Sequence, residues 1–351
     1  MALSPPPPSP LTVMELTPFR SASALHLKPY LLLWTLEVIS FGSPALTAIS
    51  ACRDCKPSST NCTQICPPYL ILYGSGATGG ITLVETLDLP GKKVPDFVVG
   101  CSLFSSRQPA GIAGFGRGPA SLPSQLGLKK FSYCLLSHKF DDTGENSFLV
   151  LDSGSASGHK TQNVSYTPFL RNPTVAGKHA FSVYYYVGLR KITVGGERVQ
   201  IPYRYLSPGS DGNGGTIIDS GTTFTYMSKL VFELVRSSFV KQVKNYERTV
   251  DVEFLTGLGL CYNVSGLKTV SLPEMRFHFK GGAEMALPLA NYFSITGDAD
   301  AVCLTMVSDS AFGGGPSIIL GNFQMQNFYV EYDLRNGRLG FRPAVMQMTE
   351  N

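Results

Sequence analysis

From Pro68 almost to the end of the chain, short runs of apolar and β-branched residues follow one another, broken every few positions by Gly, Pro, Asn or Asp. The runs are YLILYGSG, GITLVETLDL, DFVVGCSLF, SFLVLDSG, YYYVGLRKITVGGERV, GTIIDSG, MRFHFKGG and FYVEYDLRNGRLGF. Their length and residue types predict strands. Two hairpins are predicted from their turn residues, Gly195-Gly196 and Asn336-Gly337, because tight hairpin turns need left-handed backbone that Gly and Asn adopt cheaply. One clear helix interrupts the pattern. After Ser228 as N-cap, Val231, Leu234, Val235, Phe239 and Val243 recur every three to four residues, so one face is apolar and packs on a sheet. Residues 1–50 differ from the rest: a proline cluster, scattered apolar residues and no sustained period mark them as an atypical segment, expected to be unstructured or misplaced.

Composition fits a mainly β protein. Apolar residues are 43% of 351, enough to fill the core of two domains, while only 15% are charged and 36 Gly and 24 Pro favour turns over long helices. The net charge of +4 is mild and no Lys/Arg run is interleaved with aromatics, so no nucleic-acid partner is indicated. No apolar run is long enough for a helix to span a bilayer. The chain opens with Met1-Ala2-Leu3-Ser4 and four prolines, and its first apolar run, residues 30–41, contains Glu37, so no signal peptide pattern is recognised. Eight cysteines nevertheless suit disulfides in an oxidising compartment, and three glycosylation acceptor patterns, at Asn61, Asn163 and Asn263, fit a secretory route.

A faint internal duplication organises the chain. Gly111-Ile112-Ala113-Gly114 and Ile318-Ile319-Leu320-Gly321 are both apolar and end in glycine, each closing a β-rich half. Asp219, in IIDSGTTFTYM, precedes the second copy by roughly a hundred residues, so the first half is expected to carry its own aspartate near the start of the chain.

IIDSGTTFTYM, YGSG at residues 73–76, GIAGFGRGPASLPSQL, FSYCL, YYVGLRKITVGGERV and SIILGNFQMQNFYVEYDLRNGRLGF, occurring in this order, resemble the pepsin-like aspartic proteases, most closely their plant nepenthesin-like branch. The resemblance covers about residues 66–345 and implies a bilobal pepsin-like acid protease fold. Each lobe supplies one aspartate to a cleft, and a hairpin flap closes over a bound polypeptide. It maps Asp219 to the second-lobe catalytic aspartate, Ser220, Gly221 and Thr222 to its supporting loop, and Tyr73, Gly74, Ser75 and Gly76 to the flap. The chemistry needs a pair: two carboxyls in hydrogen-bonding reach share one proton, one activating water and the other polarising the peptide carbonyl.

The first-lobe aspartate has no counterpart in the chain. Asp152-Ser153-Gly154 and Asp142-Thr143-Gly144 carry similar letters but follow the flap, and both are expected to be turn residues. An unexpected candidate is the stretch from Trp34 to Ala45. Reverse-translated and read from the last base of each codon, TGG followed by ACN gives Asp, and the later junctions permit Thr-Gly-Ser-Asp-Leu-Val-Trp-Phe-Pro-Cys, with two leucines ahead from Leu32 and Leu33. That is the family's first-lobe motif. Residues near 30–45 are therefore read as frame-shifted.

The remaining constellations are weaker. Cys52, Cys55, Cys62 and Cys66 have spacings that suit zinc or disulfides, and the resemblance, with its cysteine-rich first-lobe insertion, favours disulfides. It also pairs Cys261 with Cys303 and offers Cys101 with Cys134 as a first-lobe pair. The five histidines form no HExxH motif, and neither a G-x-S-x-G elbow nor a P-loop occurs. The expected organisation is an atypical segment at 1–50, an incomplete N-terminal lobe at 51–168 carrying the flap, and a C-terminal lobe at 169–351 carrying Asp219. The resemblance implies a secreted, vacuolar or apoplastic monomeric endopeptidase acting on polypeptides at acid pH without metal or other cofactor. The alternatives are a catalytically dead pepsin-like binding or inhibitor protein, and a nonfunctional fragment.

Overall fold

The computed structural model describes residues 12–16, 32–35, 68–73, 76–89, 92–107, 111–136, 147–154, 163–177, 179–296, 300–309 and 314–344. Six sheets dominate these residues, and every run read above as a strand takes part in one. The largest has six strands in the order Thr12–Leu16, Ser147–Asp152, Lys130–Cys134, Phe328–Asp333, Arg338–Pro343 and Ser165–Pro168, all antiparallel. It draws strands from both ends of the chain, so the two halves share one platform. Phe328–Asp333 lies at its centre and is buried on both faces, which removes the alternation expected of a half-exposed strand. Phe131 stacks on Tyr332 across the ladder with centroids 4.4 Å apart.

Glu331 is fully buried in this central strand. It is tolerated there because the Tyr166 and Tyr329 hydroxyls donate to it at 2.7 and 2.9 Å and the Lys130 ammonium lies 3.1 Å away. Lys130 and Tyr166 belong to the first half and Glu331 to the second, so the cluster pins the halves together. Replacing Glu331 by Ala is expected to lower the unfolding free energy in urea by about 3 kcal/mol, the low end for a broken buried pair because Lys130 keeps access to water.

A second sheet positions the site. Ile318–Leu320 runs between Thr216–Ile218, to which it is parallel, and Thr225–Ser228, to which it is antiparallel. Tyr186–Val187 and Met306–Asp309 complete it at the edges. Ile218, Met227 and Leu320 point into the core, where the Lys229–Gln242 helix lays Val231, Phe232, Val235 and Phe239. The expected helix is thus present. Ser228 stands at its N-cap, but its hydroxyl makes no capping hydrogen bond. A further short helix, Val250–Thr256, has no buried residue, so no apolar period announced it.

Leu189–Val194 and Glu197–Arg198 form the predicted hairpin, with Gly195 and Gly196 both at positive φ. The second predicted hairpin joins Phe328–Asp333 to Arg338–Pro343, but its turn is four residues, 334–337, with Gly337 at φ 61°. Side-chain bonds explain the longer loop: Asp333 accepts from the Asn336 backbone and amide and from Arg338.

Thr12–Leu16 is a strand on the edge of the six-stranded sheet, and Leu32–Thr35 is a strand parallel to Gly111–Gly114. Ladder hydrogen bonds from distant partners supply what the local pattern lacks. The sheet of Pro68–Leu72, Ala77–Leu89 and Lys92–Ser106 leaves Leu70, Leu72, Val99 and Phe104 exposed on one face.

Candidate functional site

Asp219 stands at the end of Thr216–Ile218, where its amide continues the ladder by donating to the Leu320 carbonyl at 2.9 Å. Residue alternation puts Asp219 on the same face as Ile217, opposite the core-facing Ile218. The chain then turns so tightly that the Gly221 amide donates to Oδ1 at 2.9 Å and the Thr222 hydroxyl to Oδ2 at 2.6 Å. Both oxygens are thereby fixed in plane, and each keeps acceptor capacity for a further partner. Burial pushes the Asp219 carboxyl above the usual carboxylate range, against the lowering effect of the Thr222 and Gly221 hydrogen bonds.

That shift has a sign. A carboxyl whose folded pKa is raised prefers the proton in the fold, so its contribution to stability is best below the unfolded value of 3.8 and declines as pH rises through the folded value. Asp219→Asn is therefore expected to raise the melting temperature at pH 7 and to leave it nearly unchanged at pH 3, measured by calorimetry at both.

A clamp from the end of the chain holds this loop. The Asn322 side chain donates to the Ser220 carbonyl at 3.0 Å, and its amide donates to the Thr222 carbonyl at 2.7 Å. The buried Gln324 carboxamide oxygen accepts from the Thr225 amide and hydroxyl, while its nitrogen donates to Asn291 and Thr305. Gly321 passes so close that a Cβ there would meet the Phe224 and Thr223 backbone at 2.7 Å. Asn322, Gln324 and Thr225 were not singled out from the sequence. Their signal is the polar pair at alternate positions directly after the apolar IILG run.

The first half repeats the ladder. In the second half Ile217 pairs with Ile319 and Ile218 with Leu320, which brings Asp219 level with Gly321. In the first, Leu33 pairs with Ile112, Trp34 with Ala113 and Thr35 with Gly114. Aligning the two glycine-ended strands makes Thr35 the backbone counterpart of Asp219.

A cavity of about 640 Å³ lies toward the start of the Thr216–Ile218 and Ile318–Leu320 strand pair, lined by Ile217, Tyr226 and Ile319 from the sheet and by Phe181, Tyr184 and Tyr203 around it, and Asp219 is not among its lining residues. Tyr73 ends the Pro68–Leu72 strand, and its amide donates to the Gly76 carbonyl at 3.0 Å, closing the hairpin to Ala77–Leu89. Gly74 and Ser75 lie outside the described residues, as do Cys52, Cys55, Cys62, Cys66 and Asp142-Thr143-Gly144. Asp152 behaves as a turn residue, its carboxylate accepting from the Gly154 amide at 2.6 Å.

Cys261 and Cys303 form a disulfide. The Cys101–Cys134 pairing does not form: both are free thiols, Cys101 exposed on Lys92–Ser106 and Cys134 half-buried at the end of Lys130–Cys134. These strands belong to different sheets, and a bridge requires Cα atoms within about 7 Å.

A mainly β protein whose two halves share a sheet, each with a parallel strand pair ending in glycine, defines the class of bilobal β proteins with an acidic loop at the end of such a pair. Its two halves match two family models, "Xylanase inhibitor N-terminal" over residues 35–152 and "Xylanase inhibitor C-terminal" over residues 184–343. A probable aspartyl protease of Arabidopsis thaliana is 33% identical over 347 residues, covering 86% of this chain and 67% of that protein. Aspartic proteinase nepenthesin-2 of Nepenthes gracilis is 37% identical over 303 residues, covering 84% of this chain and 64% of the relative. The chain belongs to the plant pepsin-like aspartic protease family. It spans about two thirds of the length of these relatives. Among solved structures, conglutin gamma, a basic 7S globulin from lupine seeds, shares the fold with a TM-score of 0.65 at 20% identity, over 95% of this chain and 94% of that one.

Proposed function

We propose that this protein is built as an acid aspartic endopeptidase whose second-lobe aspartate is Asp219, and that its first-lobe aspartate belongs at position 35. Two independent lines support the position. The strand register aligns Thr35 with Asp219, and the shifted reading of the Trp34 and Thr35 codons spells Asp at that point. The observation that carries the reading is the Asp219 carboxylate itself, fixed by the Gly221 amide and the Thr222 hydroxyl at the end of the Thr216–Ile218 strand.

In the completed pair, one carboxyl holds a proton and the other is ionised, because two charges at hydrogen-bonding distance repel too strongly to coexist. The ionised member takes a proton from the water between them, the protonated one polarises the peptide carbonyl, and the tetrahedral species collapses without a covalent enzyme intermediate. In the supporting loop Ser220-Gly221-Thr222 the Gly221 amide and Thr222 hydroxyl hold the second-lobe carboxyl, and Tyr73, with Gly74, Ser75 and Gly76, forms the flap over the polypeptide substrate. The lobes divide near residue 168. The Cys261–Cys303 bridge supports a secretory or vacuolar route, and among the described residues no helix is long and apolar enough to cross a membrane.

The second reading is a binding protein that uses the same cleft without cleavage. It is favoured by threonine at position 35 and by family models described as xylanase inhibitors. Two experiments decide. Sequencing the messenger RNA across codons 25–60 shows whether the frame is shifted. Assaying peptide cleavage at acid pH, with and without residues 35–45 replaced by their frame-shifted reading, shows whether that segment supplies the missing group. A folded, inactive protein in both forms would support the binding reading.

A further inference from the structure

Four polar side chains of the second half, Thr225, Asn291, Thr305 and Gln324, are fully buried and meet one another. Buried polar groups persist where their hydrogen bonds are made, and here each side-chain nitrogen and oxygen has a partner. Gln324 is the hub. Its oxygen accepts from the Thr225 amide at 3.0 Å and from the Thr225 hydroxyl at 2.5 Å. Its nitrogen donates to the Asn291 carbonyl at 2.8 Å and to the Thr305 carbonyl and hydroxyl, both at 3.1 Å. A backbone amide can only donate and a carbonyl only accept, so the carboxamide has one orientation, oxygen toward the acidic loop and nitrogen away from it.

The two ends of this carboxamide have different tasks. The entry of the acidic loop is fixed by the Asp219 amide on the Leu320 carbonyl at 2.9 Å. Its middle is fixed by the Asn322 and Phe323 amides on the Thr222 and Thr223 carbonyls at 2.7 and 3.0 Å. Its exit is Thr225. The Thr225 hydroxyl gives its proton to Gln324, which leaves its lone pairs for the Gly321 amide at 3.1 Å. The nitrogen end of Gln324 reaches two segments outside the loop: the 3-10 helix Leu289–Asn291, and Thr305, which follows the strand Ala301–Leu304 that carries Cys303.

We propose that Gln324 is a positioning residue for Asp219: its oxygen end seats the exit of the acidic loop, and its nitrogen end fixes that seat to the 3-10 helix and to the segment after the disulfide strand. This rests on the reading of Asp219 as the second-lobe acid. The carboxylate itself is held by Gly221 and Thr222, so Gln324 acts on it through the backbone of the loop. The seat needs a planar group with an acceptor at one end and two donors at the other. Glutamate has the same shape but, when ionised, offers acceptors alone.

The test is amide hydrogen exchange on the full chain at pH 4 and pH 7, together with the Asp219 titration followed by carbon-13 NMR. Thr225→Val keeps the branched shape but removes both the proton given to Gln324 and the oxygen that receives the Gly321 amide. It is expected to speed exchange at Gly221, Gly321 and Asn322 by about tenfold at either pH. It is also expected to lower the Asp219 midpoint toward the ordinary carboxylate range, because burial is what raises it and a loosened loop admits water. Gln324→Glu is expected to do the same at pH 7, where a carboxylate oxygen faces the Asn291 and Thr305 carbonyls. At pH 4 burial keeps that acid neutral, its hydroxyl donates to one of the carbonyls, and most of the protection returns. The proposal is overturned if Thr225→Val leaves Gly221 exchange and the Asp219 midpoint unchanged. It is equally overturned if either variant accelerates exchange uniformly over residues 219–225 and 328–333, or if Gln324→Glu behaves alike at the two pH values. Neither reading uses proteolysis, so a failed cleavage assay leaves this test intact, and failure here leaves the assignment of Asp219 standing.

Discussion

Replacing residues 35–45 by their frame-shifted reading is expected to raise acid peptide cleavage by about 10⁴-fold over the chain with Thr35, since paired catalytic groups act as a unit and removing either loses most of the rate. The physical reason is the shared proton. Asp219 alone retains a carboxyl held by Gly221 and Thr222, and its pKa is already raised by burial. A hydroxyl at position 35 neither ionises in the acid range nor repels the Asp219 charge, so no water is polarised from two sides. The restored segment supplies an acid level with Gly114, as Asp219 is level with Gly321. The control is Asp219→Ala in the restored chain, which is expected to return cleavage to background. Activity that survives Asp219→Ala would remove the whole assignment. Activity in the unaltered chain, abolished by Asp219→Ala, would instead show that some other group serves as partner.

Strand positions in the second half were legible from the sequence because its apolar runs are short, rich in β-branched and aromatic residues and punctuated by glycine. Thr216–Ile218, Met275–Phe279 and Phe328–Asp333 all fall inside runs read as strands. The acidic loop was marked in the sequence by resemblance alone, and in the structure the Gly221 amide and Thr222 hydroxyl reach the Asp219 carboxylate within a tight turn. Strands Thr12–Leu16 and Leu32–Thr35 were not legible, since their partners lie far along the chain and no local period marks them. The clamp by Asn322 and Gln324 escaped for a related reason. A polar residue beside an apolar run reads as a surface position until the fold shows that a backbone loop from a hundred residues earlier is stacked against it. The Cys101–Cys134 pairing fails because resemblance supplies a cysteine count, while bridging demands a shared neighbourhood that these two strands lack.

Removing the Cys261–Cys303 bridge is expected to have the largest effect on stability, about 4 kcal/mol by loop-closure entropy. The two cysteines are 42 residues apart and face each other directly in the antiparallel ladder of Cys261–Asn263 and Ala301–Leu304. Both are fully buried, so serine replacements would add unsatisfied hydroxyls. Alanine at both positions isolates the loss of the crosslink, apart from a small cavity. The bridge also packs with Leu258 against Phe224 and Val307. Phe224 continues the loop that begins at Asp219, and its backbone is the surface that Gly321 touches. Loosening the bridge should therefore reach the acidic loop before the shared six-stranded platform feels it. In urea titrations followed by intrinsic fluorescence, the double alanine variant is expected to lose about 4 kcal/mol, and dithiothreitol is expected to do the same to the unaltered chain. Hydrogen exchange should show the earliest loss of protection at residues 219–225. A loss under 1 kcal/mol would mean that the strand pairing of Cys261 and Cys303 persists in the unfolded chain. Protection lost first in Phe328–Asp333 would mean that the bridge supports the platform and not the site.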